Sequence, residues 1–197
     1  MTGSRSEVDD EGVRAALHRL DAELFRRVAD KRDPVLDRVL PALSRAADFS
    51  VLWLGIAGVL ALSGRRRAAL RGVGSVALAS ATTNVAVKLR YRRVRPPLHA
   101  VPVARRVRRV PVTTSFPSGH SASAAAFATA VGLEVPGLAV PVGLLAAGVA
   151  WSRVWTGAHY PGDVAVGAAI GILAALSTGP ATHRRRPGGR PSLPWHR

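Results

Sequence analysis

Cysteine is absent from the 197 residues, which removes disulfide staples, thiolate metal sites and cysteine nucleophiles together. Acidic side chains are nearly absent from the larger part of the chain. Residues 1–48 hold nine basic and ten acidic residues, whereas residues 49–197 hold nineteen basic residues and two acids, Glu134 and Asp163. Soluble helices lace both signs over their outer faces, and a stretch of this length with two carboxylates is not built that way. The same scarcity excludes most metal-hydrolase chemistry, which needs several carboxylates or a His/Asp cluster around its ions. Neither a metal nor a cofactor is expected. Lysine is scarce as well, at Lys31 and Lys88 only, against 26 arginines. What is abundant is apolar: 48% of the chain is hydrophobic at a net charge of +16, too high a fraction for a disordered basic protein.

Residues 1–12 are polar and carry Glu7, Asp9, Asp10 and Glu11, so no secretory signal is expected there. Residues 11–31 read as an amphipathic helix with Val13, Leu17, Leu20, Leu24 and Val28 at three- and four-residue steps. A second begins after Asp33-Pro34, a helix-start signal. The pair suits either a membrane surface or a polar cap packed on the rest. Beyond residue 48, uncharged runs at 49–64, 72–87, 118–133, 135–152 and 164–182 are separated by basic or proline-rich segments. Sixteen helical residues span about 24 Å, short of the ~30 Å hydrocarbon core, and flanking arginines extend them by snorkelling. Their Ala, Gly, Val and Leu content suits close packing of membrane helices. The expected fold is all-α: amphipathic helices over 1–48, a multi-pass bundle of five transmembrane helices over 49–180, and a basic disordered tail over 181–197.

Alternation of the helices places residues 88–117 and 153–163 on one face. There Lys88 stands seven residues before Arg95, two helical turns, so both can face one point. The run Phe116-Pro117-Ser118-Gly119-His120 opens the third span. Ser118 suits an N-cap, Gly119 lets backbone approach a ligand, and first-turn N–H groups favour an anion. His120 is placed to donate a proton. An ordinary capped helix start is the alternative. Further on, Arg153 is followed by His159, Pro161 and Asp163. Pro161 marks a helix start, with Asp163 in its first turn. A carboxylate that accepts one imidazole N–H leaves the other nitrogen free as base or nucleophile, although Asp163 in a first turn also simply complements the helix dipole. Three cations, a helix N-terminus and two histidines form the inventory for phosphoryl transfer: neutralising donors, an in-line nucleophile and an acid.

With these motifs the chain resembles the type 2 phosphatidic acid phosphatase superfamily, whose members share their site with vanadium haloperoxidases. The resemblance rests on Lys88 with Arg95-Pro96, on Pro117-Ser118-Gly119-His120, and on Ser152-Arg153 with His159 and Asp163, and runs from residue 49 to about 178. It implies that His159 attacks phosphorus and forms a phosphohistidine, Asp163 holds its ring, and His120 protonates the departing oxygen. Lys88, Arg95, Arg153, Ser118 and the Gly119 N–H would cradle the phosphoryl oxygens.

The activity so implied is an integral-membrane lipid phosphatase of the cell membrane. Its partners would be membrane lipids and an anionic lipid-phosphate substrate: a polyprenyl pyrophosphate, phosphatidic acid, phosphatidylglycerol phosphate or a polyprenyl-phosphosugar phosphate. A vanadate-dependent haloperoxidase or a soluble acid phosphatase is the alternative use of the same anion site. Arg105, Arg106, Arg108 and Arg109 alternate with valines and are expected to attract anionic headgroups. No nucleic acid is expected, because stacking aromatics are missing from that patch.

Overall fold

A computed structural model describes residues 3–106 and 114–179. Among the described residues the chain forms seven α-helices: α1 (Gly3–Ala29), α2 (Leu36–Ala46), α3 (Val51–Leu62), α4 (Arg66–Ala81), α5 (Gly119–Glu134), α6 (Ala139–Trp155) and α7 (Pro161–Ser177). The expected basic tail, 181–197, and Arg108 and Arg109 lie outside the described residues.

The centre of the molecule is α5, packed against α4, α6 and α7. Its alanines make this possible: Ala122, Ala124, Ala126 and Ala130, with Phe127 and Val131, are fully buried, so the helix is enclosed on several sides. Phe127 meets Trp53 of α3 with ring centroids 5.3 Å apart. Between α5 and α7 the backbones nearly touch. A Cβ at Gly167 would lie 2.4 Å from the Ser118 carbonyl oxygen, and one at Gly171 would lie 2.2 Å from that of Ala122. Small residues four apart on a helix let backbones approach in this manner. The start of α7 is thereby held against the start of α5.

Outward faces of the bundle are apolar. Leu54, Val59, Leu70, Val140, Leu144, Leu173 and Leu176 are all exposed. The segment Pro136–Trp155 is by itself long and apolar enough to cross a membrane, α2 and α3 together form a second candidate bent by 60°, and Pro161–Ser177 is apolar but shorter. The second expected run, 72–87, is displaced: α4 starts at Arg66 and gives way at Thr82 to a π-helical turn through Val87. Arginines that interrupt the apolar pattern do not interrupt the helix, because Arg71 is paired internally. Its Nη1 donates to Glu134 Oε1 at 2.9 Å and its Nη2 to the Ala175 carbonyl at 3.3 Å.

The amino-terminal helices form a cap packed on the bundle. Phe25, Val28, Ala29 and Leu40 share a cluster with Val101, Val154, Trp155 and Tyr160. Asp33 caps α2 as expected, accepting from the Val35 and Leu36 N–H groups at 2.9 and 3.0 Å. Of the stripe read from spacing only Val28 is buried. Val13, Leu17, Leu20 and Leu24 are exposed, while Asp21, Phe25 and Ala29 face the bundle beside Val28.

Arg105 also departs from expectation. Rather than meeting headgroups it is completely buried: its Nε donates to Asp37 at 2.5 Å, its Nη2 to the Lys31 carbonyl, and its guanidinium lies 4.2 Å over the Trp155 ring. Asp37 lies far back in the chain, so local alternation could not reveal that this guanidinium has a half-buried carboxylate to meet.

Candidate functional site

The site is assembled at the ends of α4, α5, α6 and α7 nearest the cap. Ser118 is the N-cap of α5. It is extended (φ −74°, ψ 110°), its Oγ accepts from Ser121 Oγ at 2.9 Å, and its N–H donates to the Asp163 carbonyl at 3.0 Å. The next residue, Gly119, faces open space: a Cβ there would meet only Asn84 Oδ1, at 4.0 Å. An N–H in the first turn of a helix, unobstructed and beside cations, suits an anion.

Those cations arrive from three elements. Lys88 ends the π-helical turn, and its Nζ donates to Asn84 Oδ1 at 2.9 Å. Burial first, then the charges of Arg95 and Arg153, hold Lys88 below its ordinary pKa. Arg95, in the loop, donates from Nη1 to the Ala158 carbonyl at 2.7 Å and from Nη2 to the Thr114 carbonyl at 3.2 Å. Burial lowers its pKa as well. Arg153, near the end of α6, is buried, with Nη1 donating to Ser44 Oγ and Nε left without a partner among the described residues. A buried guanidinium N–H with nothing to donate to is an unmet demand for an acceptor.

His159 sits just ahead of α7, 3% exposed. Its Nε2 lies 3.4 Å from Arg95 Nη1 and its Nδ1 lies 3.6 Å from Asp163 Oδ2. The latter is an ion-pair distance, longer than a hydrogen bond. Burial is the main force on the ring; Arg153 and Arg95 add to it and Asp163 opposes it, leaving the pKa pushed down to about 4. At neutral pH the ring is uncharged and one nitrogen keeps its lone pair, as a nucleophile requires. Asp163 is itself fully buried and accepts from the Tyr160 N–H at 3.0 Å, closing the first turn that Pro161 begins.

Four contributors carry no motif signal. Arg93 donates to Asp163 Oδ1 at 2.7 Å, pairs with Asp21 Oδ2 at 2.6 Å and lies 4.4 Å over the Tyr160 ring. Burial works against its charge, but Asp163 and Asp21 outweigh burial and its pKa is raised. Asp21 of α1 also accepts from the Gly162 N–H at 2.7 Å. Ser44 of α2 meets Arg153. Asp48, between α2 and α3, lies 2.9 Å from His120 Nε2. Arg93 was noticeable only as one more arginine in a basic loop; Asp21 and Ser44 are ordinary polar side chains of amphipathic helices, and Asp48 is one more carboxylate in a turn.

The eight residues singled out from sequence therefore occupy one region. Lys88 feels Arg95 and Arg153, His120 lies within electrostatic reach of Arg153 and His159, and Ser118 is bonded to Asp163. His99 is exposed in the loop, and His18 is exposed on α1 with its ring 5.7 Å from that of Tyr160. Among the described residues no group of three or more His, Asp or Glu is arranged to hold a metal ion.

The PAP2 superfamily pattern matches residues 68–187. Decaprenylphosphoryl-5-phosphoribose phosphatase of Mycobacterium tuberculosis is 40% identical over 133 residues, covering 66% of this chain and 71% of that protein. The crystal structure of LpxE from Aquifex aeolicus superposes with a TM-score of 0.66 at 26% identity, covering 79% of this chain and 92% of that one. A transmembrane PAP2-type phosphatidylglycerolphosphate phosphatase from Bacillus subtilis shares the fold, with a TM-score of 0.65 at 24% identity over 83% of this chain and 84% of that one.

Proposed function

Because this chain belongs to the PAP2 superfamily, we propose that it is a lipid phosphatase that removes a terminal phosphate from a polyprenyl-linked phosphosugar through a phosphohistidine on His159. Its relatives, a decaprenylphosphoryl-5-phosphoribose phosphatase and a transmembrane phosphatidylglycerolphosphate phosphatase, support a membrane lipid phosphatase; the substrate class and residue roles are the finer proposal. The substrate class is supported by the name of the mycobacterial relative. The observation that carries the chemistry is the buried His159 held between Arg95, 3.4 Å from Nε2, and Asp163, 3.6 Å from Nδ1.

In this reading Lys88, Arg95, Arg153 and the Gly119 N–H donate to the phosphoryl oxygens, and Ser118 fixes the turn that presents Gly119. Their charges neutralise the equatorial oxygens, which is the main requirement of a loose phosphoryl-transfer transition state. His159 Nε2 bonds to phosphorus, and the ring becomes cationic. Asp163, 3.6 Å from Nδ1, stabilises that charge and is itself held by Arg93 and the Tyr160 N–H. His120 gives its proton to the departing oxygen. It then takes one from the water that attacks the phosphohistidine, which releases phosphate and restores the site.

We place α3 to α7 across the cell membrane as five passes, with α1 and α2 as a cap at the site end. Exposed apolar side chains around the bundle support this. So do Arg65, Arg66 and Arg67 and the exposed Arg90 and Arg92, where long basic side chains reach the interface.

The test is phosphate release by detergent-purified protein across a panel of lipid phosphates, with a chelator present. Turnover of the polyprenyl phosphosugar ester that survives chelation and disappears in His159→Ala is expected. Retained turnover in that variant removes His159 as nucleophile, and loss of turnover with chelator removes the side-chain-only mechanism. Peroxide- and vanadate-dependent halide oxidation without phosphate release would replace the whole reading.

A further inference from the structure

Asp48 joins the cap to the site through a histidine. Its Oδ1 stands 2.9 Å from His120 Nε2, across 72 residues of chain. An ionised carboxylate only accepts hydrogen bonds, so His120 presents Nε2–H to it. The backbone after Asp48 takes an unusual form to make this contact. Phe49 (φ 52°, ψ 23°) and Ser50 (φ 62°, ψ 15°) are both left-handed, and neither is glycine. Side-chain-bearing residues keep that conformation only where surrounding structure dictates it, and such places cluster at functional sites. Burial of Phe49 is not what dictates it, since the residue is 91% exposed. The flanks are fixed instead: α2 is tied to α6 through Ser44 and Arg153, and α3 to α5 through Trp53 and Phe127. Asp48 is the residue held between them.

We propose that Asp48 is the positioning residue of the proton donor: by accepting from Nε2–H it orients the His120 ring, leaving Nδ1–H of the protonated ring as the proton delivered to the leaving oxygen. The proposal rests on the reading of His120 as the acid. In the step it serves, the bond from His159 Nε2 to phosphorus forms and the bond from phosphorus to the leaving oxygen breaks with its electron pair on oxygen. The Nδ1 proton passes to that oxygen, and His120 returns to its neutral form. The charged and titratable groups that act on His120 are Asp48, Arg153 and His159. Without Asp48 the ring loses the acceptor that holds its Nε2–H, so the Nδ1 proton is delivered from a less well-oriented ring.

A general acid matters in proportion to how badly the leaving group departs unaided. An alkoxide leaves badly and a nitrophenolate leaves well. The experiment compares wild type with Asp48→Asn on two phosphomonoesters of matched tail length, one an alkyl ester and one a 2-alkyl-4-nitrophenyl ester. It reads kcat/KM, which reports transition-state stabilisation relative to free enzyme and substrate. A loss of about 10- to 100-fold is expected on the alkyl ester, with the aryl ester within about threefold and partial recovery on the alkyl ester in Asp48→Glu. Equal losses on both esters, or an alkyl rate at the wild-type level, overturns the proposal. His159→Ala, measured alongside, is expected to lose both reactions. If it keeps them, the reading of the site fails and the role of Asp48 with it. If His159→Ala is inactive while Asp48→Asn cleaves the alkyl ester normally, Asp48 alone is removed.

Discussion

Gly167→Ala puts the geometry of the site under direct test. The new Cβ would lie 2.4 Å from the Ser118 carbonyl oxygen, 3.2 Å from its carbonyl carbon and 3.3 Å from its nitrogen. These are backbone atoms at the start of α5, not the end of a side chain that can swing away. Ordinary van der Waals contact needs about 3.4 Å, so α7 and α5 must part by about 1 Å. Overpacking of this kind costs about 1–3 kcal/mol, against which alanine returns about 1 kcal/mol of helix propensity over glycine. Stability should therefore fall by about 0–2 kcal/mol. Activity should change a great deal, because the displaced atoms include Ser118, which bonds Asp163 and precedes the Gly119 N–H. A misplacement of about 1 Å in a reacting constellation costs on the order of 100-fold. The assay is kcat for phosphate release, with a thermal melt on the same detergent-purified sample. Gly143→Ala is the control, since a Cβ there meets nothing within 4 Å. A Gly167→Ala enzyme with wild-type kcat would refute the argument that this contact sets the site.

Three other outcomes follow from particular contacts. The His159 ring, titrated by NMR in micelles, should change charge near pH 4, because burial disfavours its protonated form; the ring stays neutral as pH falls through 6.5 and charges only near 4. A midpoint above 6 contradicts the burial argument. Arg93→Leu leaves Asp163 buried without its cation, and removing one partner of a buried pair destabilises by about 3–5 kcal/mol; a melt unchanged from wild type would show that the Tyr160 N–H and the His159 ring suffice. Arg105→Ala should lower the melting temperature through loss of the Asp37 pair and the Trp155 stack while leaving binding to anionic vesicles intact. The reverse pattern would restore the headgroup role that its burial argues against.

The features legible in the sequence are those whose physics is local. Ser118 and Pro161 mark helix starts because a cap acts three residues on and proline lacks a donor that the first turn does not need. Asp33 reads as a cap for the same reason. His159 and Asp163 are meaningful together because four residues bring them to one side of one turn. Tertiary structure alone decided the rest. Asp21 meets the Gly162 N–H across 141 residues, Ser44 meets Arg153 across 109 and Asp48 meets His120 across 72. Each is an unremarkable polar residue with no spacing to announce it. The periodicity of α1 likewise says that a helix has an apolar stripe, yet packing buried the neighbouring face with Asp21, because a carboxylate that finds Arg93 and a free N–H is stable inside. Arg105 shows the same rule with the sign reversed: a charge settles in the interior where a partner waits, and that partner is supplied by chain far from it in sequence.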